Sequence, residues 1–368
     1  MIELGKSKAG FPVYVNEKGS MNHHILLVGG TGSGKTVLAQ RIMLEIVKDG
    51  GRALALNYHG CLDQDQIFEP LREEFATYNH DIHAYTEGIP CPLFKPIVFS
   101  NGVEEDKTDT IGAITDVICR AAELEKKEQI ALRTAVEMVY EYGTFELSGF
   151  KAIGEALQSD GSSAALDTFY HLRGLVSRQL FIEGNTLFED RKINVVHLSQ
   201  FDLVSQDVIS ELLLAYVWRQ ANAGMFKKKP IYVFVDEAQN YISTPKGTLA
   251  QMISEGRKMG VNLILSTQLI LQSSTKAVQQ RLTQCGLILY GRPLANKVHY
   301  TAMMVNPTNT RDVMKELKKL RVGQFLADGS FLVGTIEVNY PIVVDARIES
   351  KKTEETTGNK EESEGNEK

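Results

Sequence analysis

Eight consecutive residues, Gly29-Gly30-Thr31-Gly32-Ser33-Gly34-Lys35-Thr36, follow the pattern Gly-x-x-x-x-Gly-Lys-Thr, whose residue types suit the holding of a polyphosphate. The glycines allow a tight loop whose backbone N–H groups curl around a β-phosphate. A helix opening at the end of that loop turns its positive end toward the anion. Lys35 is then expected to reach the β- and γ-phosphate oxygens, and the Thr36 hydroxyl to ligate Mg2+. On this reading ATP is held by Gly30, Thr31, Gly32, Ser33, Gly34, Lys35, Thr36 and Val37.

A site of this kind needs a carboxylate at the end of a neighbouring strand. Ile231-Tyr232-Val233-Phe234-Val235-Asp236-Glu237 supplies one: Asp236 is expected to hold Mg2+, and Glu237 to take the proton of the attacking water. Val261-Asn262-Leu263-Ile264-Leu265-Ser266-Thr267-Gln268 is a second apolar run ending in polar residues. Gln268 both donates and accepts, so it suits a sensor of the γ-phosphate or of the water, or else it caps the turn that follows.

These residues must be positioned by a sheet. His24 to Val28 is a short apolar run ending in glycines, the pattern of a strand buried on both faces. Val37 to Val47 has helical spacing, with Leu38, Ile42 and Ile46 on one face. Further buried strands are expected at Ala53 to Leu56, Ile193 to Leu198, Ile231 to Val235, Val261 to Leu265 and Leu287 to Tyr290. Strands alternating with helices give an α/β fold with a mostly parallel sheet. Between about Thr108 and Gly184 the periodicity is helical, which reads as a helical insertion. Small β-hairpins are expected at both ends: one around Lys8-Ala9-Gly10, the other joining Gln324 to Ala327 with Phe331 to Gly334 through an Asp328-Gly329 turn. The resulting organisation is an N-terminal hairpin at 1–22, a nucleotide-binding domain at 23–348 with its insertion at about 108–184, and a tail at 349–368.

At 368 residues, with 43% hydrophobic and 23% charged positions, the chain can bury a large core. No run approaches the roughly 20 apolar residues of a spanning helix, and the first residues lack a signal-peptide layout; a cytoplasmic location is expected. Cys61, Cys91, Cys119 and Cys285 lie far apart without a Cys-x-x-Cys pair, so reduced thiols are expected rather than a zinc site or disulfides. The formal net charge of −6 argues against a chain coated with positive charge. From Glu349 onward the sequence has no apolar side chain and is expected to be disordered. It holds seven acids and four bases, leaving −3 for the remainder and room for a local basic surface.

The phosphate loop with its preceding strand, Val235-Asp236-Glu237-Ala238-Gln239-Asn240, and Ser254-Glu255-Gly256-Arg257-Lys258-Met259-Gly260-Val261 leading into Ser266-Thr267-Gln268 resemble, in order and spacing, the HerA/FtsK superfamily of P-loop ATPases. This group includes HerA DNA translocases and relatives of the conjugative coupling and type IV secretion ATPases. The resemblance implies a RecA-like core, ATP hydrolysis with Mg2+, and a ring, expected to be a homo-hexamer, in which a neighbour's arginine completes each site. Arg257 matches the family's Glu-Gly-Arg-Lys stretch, and Arg292 is a second candidate for that arginine. The sequence also departs from the family. Asn57-Tyr58-His59-Gly60 stands where relatives often carry Asp-x-x-Gly, and His197 where they often carry Asp. Without carboxylate or cysteine partners at ligand spacing, His59 and His197 are not read as metal ligands. The roughly twenty residues before the first strand are too few for the β-barrel usual in HerA proteins, and the membrane helices of coupling proteins are not seen.

Double-stranded DNA as substrate is implied by the resemblance alone. Lys227-Lys228-Lys229 and the cluster Lys315, Lys318, Lys319 and Arg321 are candidates for phosphate contacts or else solvated faces. Two readings therefore stand beside each other: an ATP-driven motor that translocates or remodels double-stranded DNA, and a ring-forming assembly ATPase that scaffolds an effector such as a nuclease of anti-phage defence. A DNA-transfer ATPase of a mobile element is a third.

Overall fold

The computed structural model describes residues 1–348 except positions 18, 21, 142–144, 185, 243–246 and 269–275. The charged segment expected to form a tail from Glu349 lies outside the described residues. In chain order the strands are β1 (Glu3–Ser7), β2 (Pro12–Val15), β3 (Ile25–Val28), β4 (Arg52–Asn57), β5 (Asn79–Ile82), β6 (Ile89–Pro90), β7 (Phe181–Ile182), β8 (Ile193–His197), β9 (Ile231–Val235), β10 (Val261–Thr267), β11 (Leu287–Tyr290), β12 (Gln324–Gly329), β13 (Phe331–Val333), β14 (Ile336–Val338) and β15 (Ile342–Asp345). All but β6 and β7 join one sheet in the order β14-β13-β2-β1-β15-β12-β11-β3-β10-β9-β4-β8-β5. The seven strands from β11 to β5 run parallel, and those from β12 outward are antiparallel.

The apolar runs become the middle of this sheet because both of their faces are covered. Along β3, Ile25 and Leu27 enter one core while Leu26 and Val28 enter another; in β4, Ala53 and Ala55 are separated in the same way from Leu54 and Leu56. This period of two assigns alternate side chains to opposite layers. One layer is the helix Lys35–Lys48, whose Leu38, Ile42 and Ile46 are buried, together with the helix Glu69–Tyr78. The other holds the helices Leu203–Asn222 and Thr248–Met259 and the helical region between β6 and β7. That region comprises the helices Lys107–Ala121, Lys126–Glu141, Phe145–Asp160, Ser163–His171 and Arg173–Val176. The Asp106 and Ser162 side chains cap two of them by accepting from the amides of Thr108 and Ala165.

One strand expectation requires correction. Gln324 to Gly334 is not a hairpin around Asp328-Gly329. Both residues stay in the ladder opposite Ile288 and Leu287, and β12 pairs with β11 and β15, not with β13. The chain passes over at Ser330, after which β13 pairs with β2 and turns at Gly334 into β14. Gly329 is required for packing rather than turning: a Cβ there would lie 2.2 Å from the Gly286 carbonyl oxygen. The N-terminal hairpin of β1 and β2 forms as expected, and β1 also pairs with β15, which extends the sheet. The polar edge strand β5, Asn79-His80-Asp81-Ile82, gives no apolar signal in the sequence.

His24, at the start of β3, is an unusual core residue. Its imidazole lies against the Met252 carbonyl (3.1 Å) and accepts from the Leu263 amide (3.1 Å). Burial lowers its pKa from 6.5 to about 4. The unfolded chain therefore binds this proton more readily, and His24 should withdraw stability as pH falls from 6.5 toward about 4. The full effect is about 3 kcal/mol. His197 has the opposite sign: its pKa is raised, burial being outweighed by Asp81 and Asp63, so its contribution is present below 6.5 and lost as pH rises through the raised value. NMR titration should show His197 protonating above 6.5 while His24 stays neutral to below pH 5. Protonation of His24 near its ordinary value would refute this.

Among the described residues, no helix is long and apolar enough to cross a membrane.

Candidate functional site

The parallel strands end side by side, with Val28 opposite both Thr267 and Tyr290, and Leu265 and Leu56 opposite Val235. The loops leaving these ends share one crevice, where an open α/β sheet binds ligands. The loop from Gly29 to Thr36 is held there from several sides. Gly29 N–H donates to the Thr267 carbonyl (3.3 Å), Gly30 N–H to the Arg292 carbonyl (3.1 Å), and Gly323 N–H to the Ser33 carbonyl (3.1 Å). Gly34 has φ +97° as the residue before the helix, and a Cβ there would be 3.1 Å from the Gly323 nitrogen. A non-glycine residue would meet both backbone strain and a tight contact.

Lys35 is buried and bends back into its own loop, donating to the carbonyls of Gly29 (2.9 Å) and Gly30 (3.2 Å). Burial lowers its pKa, and the nearby charges of Asp236 and Glu237 oppose that shift. Thr36 and Val37, both half-buried, occupy the first turn of the helix. Asp236 follows β9 directly and accepts from the Glu237 amide (3.0 Å). Cys61 lies beside this carboxylate, where burial and the Asp236 charge push its thiol up to about 12. It is therefore a protonated thiol and no nucleophile. All four cysteines are free.

Glu237 has φ +45°, a conformation that non-glycine residues seldom adopt and that clusters at functional sites. Each of its carboxylate oxygens accepts from an amide: Oε1 from Gln268 Nε2, and Oε2 from Gln239 Nε2 (2.6 Å). Thr31 Oγ1 donates to Gln268 Oε1 (3.0 Å), and Thr267 Oγ1 to Gln239 Oε1 (2.5 Å). The structure thus brings Lys35, Glu237 and Gln268 to one crevice with the phosphate loop. Gln239 and Thr267 were not assigned from the sequence. Their only signal is that both are polar residues adjoining strand ends already read as functional.

Arg257 is not at this crevice. It stands exposed in the last turn of the helix Thr248–Met259, at the start of β10, whereas Gln268 follows the end of that seven-residue strand. At about 3.3 Å per residue the two ends are about 20 Å apart. Arg292 is beside the chain's own loop, through its carbonyl contact with Gly30. The two family departures meet in a polar cluster. Asn57 Nδ2 donates to Asp63 Oδ1 (2.8 Å), while His197 contacts Asp63 (3.1 Å) and Asp81 (2.6 Å). Among the described residues, no group of three or more His, Cys, Asp or Glu could hold a metal ion by itself. Asp236 and Thr36 offer the oxygen donors that Mg2+ prefers, and such a site is completed by phosphate oxygens and water.

The basic clusters are partly neutralised. Lys229 pairs with Asp190, Lys315 with Asp312, and Lys319 with Glu316, which also receives Lys8.

A sequence model of the family described as "Helicase HerA, central domain" matches residues 2–217. The DNA double-strand break repair helicase HerA of Saccharolobus solfataricus is 26% identical over 274 residues, which are 68% of this chain and 51% of that protein. The chain thus spans about half the length of this curated relative. Several solved structures share the fold. VirB4 of Thermoanaerobacter pseudethanolicus has a TM-score of 0.66 at 17% identity, covering 95% of this chain and 96% of that one. The plasmid coupling protein TrwB in complex with the non-hydrolysable GTP analogue GDPNP has a TM-score of 0.60 at 13% identity, covering 97% and 92%.

Proposed function

The chain belongs to the HerA helicase central-domain family and is an ATP-hydrolysing P-loop ATPase, and from that premise we propose that it is a ring-forming motor acting on double-stranded DNA. The observation that carries this reading is the split placement of the catalytic groups. The phosphate loop, Asp236, Glu237 and Gln268 gather at one end of the parallel strands, while Arg257 stands at the other. Head-to-tail packing of copies can bring Arg257 of one to the phosphate site of the next, and a heterologous contact of this kind forms a ring where the rotation between copies closes. Six subunits are the number expected from the superfamily.

In this mechanism Lys35 leaves the Gly29 and Gly30 carbonyls for the β- and γ-phosphate oxygens of ATP. Thr36 and Asp236 would hold Mg2+, which when bound would offset the negative charge developing on the phosphates. Glu237 accepts the proton of the attacking water, and Gln268, linked to both Thr31 and Glu237, reports the γ-phosphate to the base. Gly30 to Thr36, with Val37 behind them, line the phosphates.

DNA enters this reading from the relative's identity as a DNA repair helicase. Duplex DNA should raise ATP turnover severalfold at low salt, and the stimulation should fade as salt rises. Unchanged turnover at saturating duplex would remove DNA as the substrate. The pairing of Lys229, Lys315 and Lys319 with acids thins the basic surface, and this favours a second reading, an assembly ATPase that scaffolds a partner effector. A stable co-complex with such a partner, formed without DNA, would support it.

A further inference from the structure

We infer that Gln239 and Thr267 form a positioning relay that aims the Glu237 carboxylate, an assignment that rests on reading Glu237 as the general base. A glutamine amide is ambivalent, because a half-turn about its last bond exchanges donor and acceptor. Here the Glu237 carboxylate, which only accepts, removes the ambiguity. Its Oε2 requires Gln239 Nε2, which leaves Gln239 Oε1 to accept from Thr267 Oγ1. Thr267 is fully buried in β10, so its hydroxyl is placed by the sheet.

The second arm, Thr31 to Gln268 to Glu237 Oε1, has the same logic but a different footing. Thr31 belongs to the phosphate loop, so this arm must rearrange once Gln268 turns to a γ-phosphate. The Thr267–Gln239 arm stands on β10 and on the turn after β9, and neither of its residues belongs to the phosphate loop, although the Thr267 carbonyl accepts from the Gly29 amide. It therefore persists when the other arm lets go, and it keeps the carboxylate directed at the water while Gln268 is engaged. Glu237 itself has a left-handed backbone, and both oxygens of its side chain are held by these two amides.

The test is the split between kcat and KM in the full chain. Gln239→Ala should lower kcat by about 10- to 100-fold, the scale of a small misplacement at a reacting centre. KM for ATP and the affinity for a fluorescent non-hydrolysable ATP analogue should stay within about 2-fold. Thr267→Val should give a similar kcat loss, and Thr267→Ser, which keeps the hydroxyl, should retain wild-type turnover. The double variant Gln239→Ala/Thr267→Val should be no slower than the slower single one, since both interrupt one path. Losses that multiply, a weakened analogue affinity, or wild-type kcat for Gln239→Ala would overturn the relay. Glu237→Gln separates the two readings. If it turns over normally, the base assignment fails; if it is inactive while Gln239→Ala is not impaired, only the relay fails.

Discussion

Replacing Glu237 by glutamine should leave ATP binding intact and reduce turnover by about 10²–10⁴-fold, the usual worth of a positioned general base. The substitution conserves shape, so the loop from Gly29 to Thr36 and the contacts of Lys35 should be undisturbed. What disappears is a carboxylate able to accept a proton, together with one of the two oxygens that the Gln268 and Gln239 amides address. Lys35→Ala should behave differently and lose binding as well as turnover, because its ammonium is the positive charge inside the loop. The pair is read by calorimetric binding of ATP and by phosphate release on the same preparations. Ordinary hydrolysis by Glu237→Gln would remove Glu237 from its role.

Arg257→Ala should cost 10³–10⁵ in turnover if the arginine acts as comparable fingers do, and the loss should be repairable by mixing subunits. Arg257 is about 20 Å from Gln268 along β10, too far to serve its own phosphate loop, so any role in hydrolysis must be exercised on a neighbour. Arg257→Ala subunits keep an intact loop, and Lys35→Ala subunits keep an intact arginine. Each preparation should be inactive alone, and the mixture should recover part of the activity at interfaces that join the two intact halves. A mixture that stays inactive would move the assignment to Arg292, whose carbonyl already touches the loop of its own chain. Sedimentation with and without ATP would report the number of subunits on the same samples.

How far the site was legible depended on where each residue's information lies. Lys35, Thr36, Asp236, Glu237 and Gln268 are read from local pattern, since each directly follows an apolar strand or the loop that leaves one. Those strands are continuous apolar runs because both faces are covered, and that is a signal a sequence retains. β5 is polar and sits at the sheet edge, so it carries no such signal. The Asp328-Gly329 pair misleads for a related reason. The dipeptide favours a turn locally, but its place in the ladder opposite Ile288 and Leu287 is decided by β11, some forty residues earlier. Asn57 and His197 read as isolated departures from a family pattern, and only the parallel pairing of β4 with β8 turns them into neighbours sharing Asp63.

The sequence by itself determined the chemistry on offer: a glycine loop for phosphates, a lysine and a threonine to follow it, and carboxylates on a strand end. These are properties of residue type and of spacing within a single turn or strand, and they survive without knowledge of the rest of the chain. Tertiary structure alone decided the relations among them, because hydrogen bonds between side chains 28 to 31 residues apart depend on strand order. It placed Gln239 and Gln268 on the two oxygens of Glu237. It folded Lys35 onto its own loop. It also set Arg257 at the far end of β10, so that the proposed active centre is divided between two copies of the chain.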